Sequence, residues 1–282
     1  MFSESALSDY DIIILTESWL NNSVHDSEIF VSKYSVVRAD RKCDMFNKSR
    51  GGGIVIGFNK SIFFEVIDLA KFTDWTIPSL VDLLIVKVNF CNIIFYLIAT
   101  YIPPYVTTND YELFFDSLSN ITFLLNSKIL FIGDFNINKY LPENTISSDA
   151  KTNLLLQFLN FTQLQQLNFV PNFHKRYLDL VVSNLKCVVS KAEYTFLTED
   201  LHHPALNLYV DTSDISSKHF VSTNVNNGYK FFNFRRANLS LLFDELKKTD
   251  WSFLDSCCDV DDACELFYNK LYDIFNKCVP LC

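Results

Sequence analysis

A short apolar run ends in two side chains that could bind a metal ion or a phosphate. The run, residues 129–132, has the composition of a buried strand, and Gly133 after it allows the backbone to turn. Asp134 and Asn136 follow, with one residue between them. Because ligands bind at the carboxyl ends of strands in an open α/β sheet, this acid and this amide predict a site for a hard cation and a phosphate.

Polar side chains also lie within or just beyond other apolar strands. They are Glu17, Tyr101, Asp179 and the run Asp200-Leu201-His202-His203. Each has an ordinary structural explanation when taken alone: a solvated strand end, a core aromatic at a turn, a buried acid bonded to backbone, and a loop histidine beside a proline. For any one of them this explanation is favoured, so the case for a site depends on the set.

The composition fits one large domain with a smaller appendage. The chain has 282 residues, of which 49% are hydrophobic and 15% aromatic, so it can bury a sizeable core. Its net charge of −9 argues against a surface coated with basic patches for nucleic acid. A local basic strip combined with a metal ion is still compatible with that charge.

Cysteine usage and hydropathy indicate the compartment. Five of the eight cysteines lie in the last 26 residues, with no CxxC pair and no histidine among them, so free thiols are favoured over a zinc site. No signal peptide is recognised. The most apolar stretch, 83–102, contains Lys87, Asn89 and Asn92, which favours two strands over a membrane span. We therefore expect an intracellular protein, nuclear or cytoplasmic, with no membrane partner.

Apolar periodicity predicts an alternation of strands and helices. Strands are expected at 11–15, 54–56, 83–88, 93–101, 129–132, 177–182, 194–197 and 205–210, and helices at 109–125, 148–167, 238–248 and 261–276. The strands at 83–88 and 93–101 form a predicted hairpin that turns near Cys91-Asn92. Residues 211–227, rich in Ser, Thr, Asn and Asp, predict a linker.

The order of these segments resembles the endonuclease/exonuclease/phosphatase superfamily, and more narrowly the endonuclease domain of non-LTR retrotransposons. The resemblance covers roughly residues 8–212. It is carried by Thr16-Glu17-Ser18-Trp19-Leu20, Arg50-Gly51-Gly52-Gly53, Tyr101-Ile102-Pro103-Pro104, Gly133-Asp134-Phe135-Asn136, Leu178-Asp179-Leu180-Val181 and His202-His203-Pro204. The tail is similar to the linker that joins this domain to a reverse transcriptase, through Phe234-Arg235-Arg236-Ala237-Asn238, Asp250-Trp251 and Val279-Pro280.

The resemblance implies an α/β fold, a four-layered sandwich in which two packed, mainly antiparallel sheets are flanked by helices, with a short helical C-terminal extension. It divides the chain into an endonuclease-like domain at 1–212 and a linker with a helical segment at 213–282 that would precede a reverse transcriptase. The family's first strand, which carries an Asn that contacts the metal, is expected to be missing. Its loss would expose a sheet edge or leave a gap in the core.

The resemblance also implies roles for the polar set. Glu17, together with Asp200, would hold a Mg²⁺ or Mn²⁺ ion through carboxylate oxygens. Asp134 would position or deprotonate the attacking water. Asn136 would hydrogen-bond the phosphate or help to bind the metal, and Tyr101 would contact the phosphate or support the water.

A histidine would act on the scissile phosphate while Asp179 orients its ring. The family's last motif is Ser-Asp-His-x-Pro. Alignment on Pro204 gives the catalytic place to His202, whereas alignment on His203 puts Asp200 three residues before the histidine. Both histidines are candidates, with a slight preference for His202.

Basic residues near the motifs could contact DNA. Arg41, Arg50, Lys175 and Arg176 are candidates for phosphate contacts, and solvated surface charge explains them equally well.

The leading hypothesis is a metal-dependent DNA endonuclease that nicks one strand for target-primed reverse transcription, with DNA and a reverse transcriptase domain as partners. One alternative is a catalytically degenerate fragment derived from a retrotransposon. A second is a phosphoesterase of the same superfamily that acts on a small or lipid phosphate. A third is a binding module recruited through its C-terminal helices.

Overall fold

The computed structural model describes residues 10–40, 51–69, 78–121, 124, 126–143, 147–193, 200–212, 232, 234–256 and 259–280. The chain separates into two compact units, Met1–Phe220 and Val221–Cys282. The strand expected at 194–197 and most of the linker expected at 211–227 lie outside the described residues.

The described part of the first unit contains eleven strands. They are β1 (Ile12–Thr16), β2 (Tyr34–Ala39), β3 (Ile54–Asn59), β4 (Phe63–Val66), β5 (Asp82–Phe90), β6 (Ile93–Tyr101), β7 (Ile129–Asp134), β8 (Gln165–Gln166), β9 (Asp179–Ser183), β10 (Cys187–Lys191) and β11 (Leu206–Val210). They form a six-stranded sheet of order β4-β5-β6-β7-β9-β8, a three-stranded sheet of order β1-β3-β2 and the pair β10-β11. Only the pairing of β6 with β7 is parallel among these strands.

The most apolar stretch of the sequence is the hairpin of β5 and β6. Its two turn residues, Cys91 and Asn92, both have left-handed backbone angles, with φ of 50° and 63°. Two such residues give a turn whose twist matches that of the strands. The predicted hairpin is thus confirmed. No helix among the described residues has the length and apolar character needed to cross a bilayer.

The helices of the first unit are α1 (Asp26–Ile29), α2 (Thr108–Ser119) and α3 (Ala150–Thr162) among the described residues. The side chain of Thr107 accepts a hydrogen bond from the Asp110 backbone and thereby caps α2, and Asp149 caps α3 by accepting from the Thr152 backbone. Both helices are shorter than the periodicity predicts. The helix α3 ends because its C-cap residue, Gln163, has a left-handed backbone with φ of 56°.

The layers follow from which face each strand buries. On one face of the six-stranded sheet, α2 and α3 enclose a core that includes Phe114, Phe115, Phe131 and Phe158. The other face packs against β1–β3 and β10–β11 through a second core. Phe30, beside α1, covers the outer side of the three-stranded sheet. This arrangement is the four-layered sandwich that was expected.

The second sheet layer is built in two pieces. In the described part of the chain β1 pairs only with β3, and β11 pairs only with β10. Tyr10 Oη donates a hydrogen bond to Asn207 Oδ1 at 3.0 Å, which links the two pieces. Each piece buries one face against the six-stranded sheet, so packing rather than strand pairing holds the layer together.

The second unit has a small core of its own. Its helices are α4 (Leu239–Lys248) and α5 (Val260–Cys278), close to the bounds that periodicity predicts. Leu242 on α4 packs with Ile274 and Cys278 on α5. Asn238 caps α4 by accepting from the Leu241 backbone, and its own N–H donates to the Cys278 carbonyl. The described cysteines Cys91, Cys187, Cys264 and Cys278 are free thiols, as predicted.

Gly133 lies inside β7 and not at the turn expected there, and the parallel pair β6–β7 leaves no room for a side chain at this position. A Cβ at this position would lie 2.0 Å from the Thr100 carbonyl oxygen, which belongs to the neighbouring strand. We predict that Gly133→Ala lowers the free energy of unfolding by at least about 3 kcal/mol, since backbone must shift. Urea denaturation would measure the loss.

Gly57→Ala is the matched control, because Gly57 is also buried in a strand. Its added Cβ would lie 3.0 Å from the edge of the Phe30 ring, and a ring can move more easily than backbone. We expect a loss of no more than about 1 kcal/mol. Equal losses for the two variants would contradict the backbone clash.

Candidate functional site

Strand register places three of the predicted side chains beside one another. Tyr101 ends β6 and lies opposite Asp134, which ends β7, and Asp134 lies opposite Asp179, which begins β9. Side chains directly opposite on adjacent strands share one face of the sheet. Leu130 lies four residues before Asp134, and Val181 lies two residues after Asp179, so each shares a face of the sheet with that acid. Both belong to the core between the sheets, and this face is therefore the one that meets the second layer.

The second layer contributes two further groups to the same end of the sandwich. Glu17 follows β1 directly, and its carboxylate accepts a short hydrogen bond from Tyr101 Oη. His203 lies three residues before β11. The imidazole Nδ1 of His203 is 3.1 Å from Asp179 Oδ2, and its Nε2 is 3.8 Å from Asp134 Oδ2. Side chains from both sheet layers therefore come together at this end of the sandwich.

His203, and not His202, is the histidine that Asp179 orients. This contact favours His203 over the slight preference for His202. The ring of His202 is exposed and its centroid lies 6.3 Å from that of His203. The cause is local backbone geometry: the His202 N–H donates to Asp200 Oδ1 at 2.9 Å and the His202 carbonyl accepts from Asn172 Nδ2 at 3.0 Å. These bonds leave the next residue, His203, facing the carboxylates.

Asp134 is the most buried charge-bearing group of the site, at 1% exposure. Burial raises the pKa of Asp134 well above its ordinary value, and the charge of Asp179 raises it further, against the opposing effects of His203 and the Asn136 N–H. Burial also raises the pKa of Asp179, and the hydrogen bond from His203 works in the opposite direction.

His203 carries the positive charge that balances these acids. Burial alone would lower the pKa of His203, but the hydrogen bond and charge of Asp179, followed by the charges of Asp134 and Glu17, raise it to about 9. The imidazole is therefore protonated at neutral pH, with both ring nitrogens acting as donors.

Asn136 has its amide orientation fixed by two acceptors. Its Nδ2 donates to the Ile102 carbonyl at 2.9 Å and to Asp134 Oδ2 at 2.6 Å. Its backbone is left-handed, with φ of 49°, and its N–H donates to Asp134 Oδ1. Because both amide hydrogens are directed at the protein, the amide oxygen is the atom that can meet a ligand. That oxygen suits a metal ion or a water molecule better than a phosphate, whose oxygens need donors.

A loop of three glycines holds the turn that carries Glu17. Gly51, Gly52 and Gly53 have φ of 107°, 78° and 85°, angles that a residue with a side chain rarely adopts. The carbonyl oxygens of Gly52 and Gly53 accept the N–H groups of Trp19 and Ser18, the two residues that follow the left-handed Glu17.

No family model matches the chain, and no curated protein matches it. Among solved structures, the endonuclease domain of TRAS1, a telomere-specific non-LTR retrotransposon, is similar at a TM-score of 0.50 and 17% identity, over 74% of this chain and 90% of that one. The chain has the endonuclease/exonuclease/phosphatase fold.

Two other solved structures are similar at lower scores. The 3′ phosphatase NExo from Neisseria, bound to a product DNA hairpin, has a TM-score of 0.48 and 14% identity, with 73% of this chain and 91% of that one covered. The catalytic domain of human Nocturnin with bound sulfate has a TM-score of 0.47 and 11% identity, with 71% and 81% covered. At these identities the likeness concerns the fold.

Three side chains of this endonuclease/exonuclease/phosphatase fold lie close enough to hold a metal ion together. The ligand atoms of Asp134, Asp179 and His203 all lie within 4.8 Å of one another. Asp179 and His203 already hydrogen-bond each other at 3.1 Å, which occupies one ligand atom of each. The carboxylate of Asp134 and the amide oxygen of Asn136 are therefore the better donors. The Glu17 carboxylate lies outside this cluster and is linked to it through Tyr101, which is opposite Asp134. These carboxylate and amide oxygens are hard ligands, which fits Mg²⁺ or Mn²⁺.

The remaining candidates lie outside this centre or beyond the described residues. Asp200 is exposed and its carboxylate caps the His202 N–H, so the structure does not place it among the clustered ligand atoms. Lys175 and Arg176 are exposed, and Arg176 Nη1 donates to Asn138 Oδ1 at 3.1 Å. Arg41 and Arg50 fall within 41–50, outside the described residues.

Sequence reasoning missed the amides and the acid that support the site. Asn172 accepts from the His174 and Arg176 N–H groups at 2.9 Å and ties this loop to His202. Asn168 Nδ2 donates to the Asp179 carbonyl at 2.7 Å. Asp82 Oδ2 accepts the Gly53 N–H at 2.8 Å. Asn and Asp beside predicted strand ends are the signal that could have found them.

The bond from Gly53 to Asp82 predicts a local effect on the Glu17 turn. Asp82→Ala removes the carboxylate that anchors the glycine loop, so the Ser18 and Trp19 amides should exchange with solvent deuterium about tenfold faster, since a hydrogen bond to a charged group contributes roughly 1.5 kcal/mol or more. Asp82→Asn keeps an acceptor oxygen and should remain closer to wild type. Native-state hydrogen exchange measures both, and unchanged rates in the alanine variant would show that Asp82 does not hold the loop.

The raised pKa of His203 predicts a pH dependence of stability in the metal-free protein. The folded imidazole titrates at about 9, above its unfolded value of 6.5, so its contribution is complete below 6.5 and is lost as the pH rises through 9. The raised pKa of Asp134 acts in the same direction. Urea denaturation in EDTA should show unfolding free energy falling from pH 6.5 to 9. His203→Gln should flatten this decline, and an unchanged slope would contradict it.

Proposed function

We propose that this chain is a divalent-metal-dependent phosphodiesterase that nicks DNA. One observation carries the proposal: His203 lies between Asp179, which bonds its Nδ1, and Asp134, whose buried carboxylate faces its Nε2. An imidazole held at one nitrogen by an acid presents the other nitrogen in a fixed direction. Because Asp134 Oδ2 lies 3.8 Å from that nitrogen, a proton donor and a proton acceptor stand side by side at the point where a phosphate would bind.

In this mechanism His203 supplies positive charge and a proton. Its Nε2–H is available at neutral pH and can pass its proton to the leaving-group oxygen, on which negative charge develops as its bond to phosphorus breaks. Asp179 accepts the Nδ1–H, which fixes the ring and stabilises the imidazolium.

Asp134 is the acceptor for the proton of the attacking water. Burial favours its protonated form, which makes the carboxylate a stronger base than an exposed aspartate. The two hydrogen bonds from Asn136 fix both carboxylate oxygens of Asp134, which keeps the carboxylate oriented toward the attacking water.

A divalent cation would be held by Glu17, Asp134 and the amide oxygen of Asn136. When bound, it would neutralise charge on the phosphate and lower the pKa of a bound water. Tyr101 is 4% exposed and donates to Glu17, so we assign it the orientation of this carboxylate rather than contact with the phosphate.

DNA is the proposed substrate because of two features outside the centre. Lys175 and Arg176 place exposed cations in the loop that precedes Asp179, within reach of a phosphate backbone. The ordered motifs and the tail motifs Phe234-Arg235-Arg236-Ala237-Asn238 and Asp250-Trp251 resemble retrotransposon proteins. On that basis we extend the proposal to nicking for target-primed reverse transcription, with a reverse transcriptase as the partner.

Nicking of supercoiled plasmid in Mg²⁺ tests the proposal. We expect wild type to produce nicks with a 3′-hydroxyl that a DNA polymerase can extend. Asp134→Asn and His203→Ala should each lose at least about 100-fold in rate, since each removes a group that moves a proton. His202→Ala should lose less than about tenfold. Asp262→Asn, an exposed acid on α5, controls for loss of surface charge.

The outcomes separate the alternatives. Equal background nicking by wild type and Asp134→Asn would refute catalysis and favour the degenerate fragment. Turnover of a soluble phosphate ester without nicking would favour a small-molecule phosphoesterase. A larger loss for His202→Ala than for His203→Ala would reverse the assignment of the histidines.

A further inference from the structure

A row of aromatic rings leads outward from the candidate site along one surface. The ring centroids of His203 and His202 are 6.3 Å apart, those of His202 and His174 are 4.9 Å apart, and those of His174 and Phe173 are 5.5 Å apart. His203 belongs to the centre itself, whereas the other three rings lie on residues that are exposed to solvent. We refer to Phe173, His174 and His202 as the ring row.

The ring row is held by backbone bonds and not by a hydrophobic core. Asn172 is buried and accepts from the His174 N–H, while its Nδ2 donates to the His202 carbonyl. The Phe173 N–H donates to the Leu201 carbonyl at 3.1 Å. Two separate segments of the chain are thus locked side by side, with their rings directed outward. Phe173 is nevertheless 74% exposed, an unusual state for so large an apolar side chain.

Cations follow the rings in the same loop. Lys175 and Arg176 come directly after His174, and both are exposed. Aromatic faces interleaved with cations match a nucleic-acid strand, in which bases offer flat faces and phosphates offer negative charge. The match is local, because the whole chain carries a net charge of −9 and long-range attraction to DNA is therefore weak.

The rings of Phe173 and His174 are nearly perpendicular, at 88°, so a base can stack on only one of them. We infer that Phe173 is a stacking platform for an unpaired nucleobase on the strand that carries the scissile phosphate, so that the preferred substrate is single-stranded or locally unpaired DNA. The inference rests on the proposed function and specifies its substrate. A fully paired duplex hides the faces of its bases, so it cannot use exposed rings at this position. A strand with an unpaired base can place one phosphate at His203 and a base farther along the strand on Phe173, at the other end of the ring row.

The platform also compensates for the scarcity of positive charge. Stacking of a base on an aromatic side chain is sequence-tolerant and does not depend on net protein charge. Removal of one such ring weakens binding by roughly 5- to 150-fold. An acidic protein with few cations at its site would therefore depend on such contacts for a large part of its affinity.

Fluorescence titration in EDTA tests the platform without catalysis. The probe is a single-stranded oligonucleotide that contains 2-aminopurine, compared with the same strand in a fully paired duplex. We expect wild type to quench the single strand and to bind it more tightly than the duplex. Phe173→Ala should reduce both the quenching and the affinity for the single strand by roughly 5- to 150-fold, with a smaller effect on the duplex. Phe173→Tyr should restore both.

Phe63→Ala is the matched control, since Phe63 is 78% exposed but lies on β4 at the far edge of the six-stranded sheet. Wild-type affinity in Phe173→Ala, or an equal loss for single strand and duplex, would overturn the platform. An equal loss in Phe63→Ala would also overturn it.

The two proposals fail in different experiments. If plasmid nicking fails while Phe173-dependent quenching of the single strand holds, the platform stands and the hydrolytic function falls. If nicking holds while Phe173→Ala binds both probes like wild type, only the platform falls.

Discussion

The buried carboxylate of Asp134 is the constraint around which the first unit is organised. A charge that is 1% exposed must be balanced or neutralised, because removal from water costs several kcal/mol when no partner is present. The fold supplies two hydrogen bonds from Asn136 and an imidazolium at 3.8 Å. These partners come from the loop after β7 and from the segment before β11, so both segments must dock before the acid is satisfied.

The site lies between the two sheet layers, and each layer contributes a different part of it. The six-stranded sheet contributes Tyr101, Asp134 and Asp179 through register alone. The second layer contributes Glu17 and His203 through turns that adopt unusual backbone angles or depend on side-chain caps. A rigid sheet thus positions one half of the centre, and hydrogen-bonded loops position the other half. Loops on a rigid scaffold are a common place for binding and catalysis.

Much of the fold was predictable from local pattern. The β5–β6 hairpin followed from two apolar runs around Cys91-Asn92, and the caps Thr107, Asp149 and Asn238 start helices near the predicted positions. Helix ends were less predictable. Gln163 ends α3 in a left-handed conformation, although no glycine or proline marks the point. The division of the second layer into two pieces was equally beyond local pattern, because strand pairing is decided by contacts distant in sequence.

The sequence by itself determined which residue types were present for chemistry, since an acid, an amide, a phenol and imidazoles all follow apolar runs in a recognisable order. Only the tertiary structure showed that His203, and not His202, contacts Asp179, since this depends on hydrogen bonds that join the His202 backbone to Asp200 and Asn172. It also decided that the amide hydrogens of Asn136 are directed at the protein, because their acceptors, Ile102 and Asp134, lie on different strands or loops. Residue type limits what a side chain can do, whereas the direction in which it does so is fixed by neighbours that folding brings together.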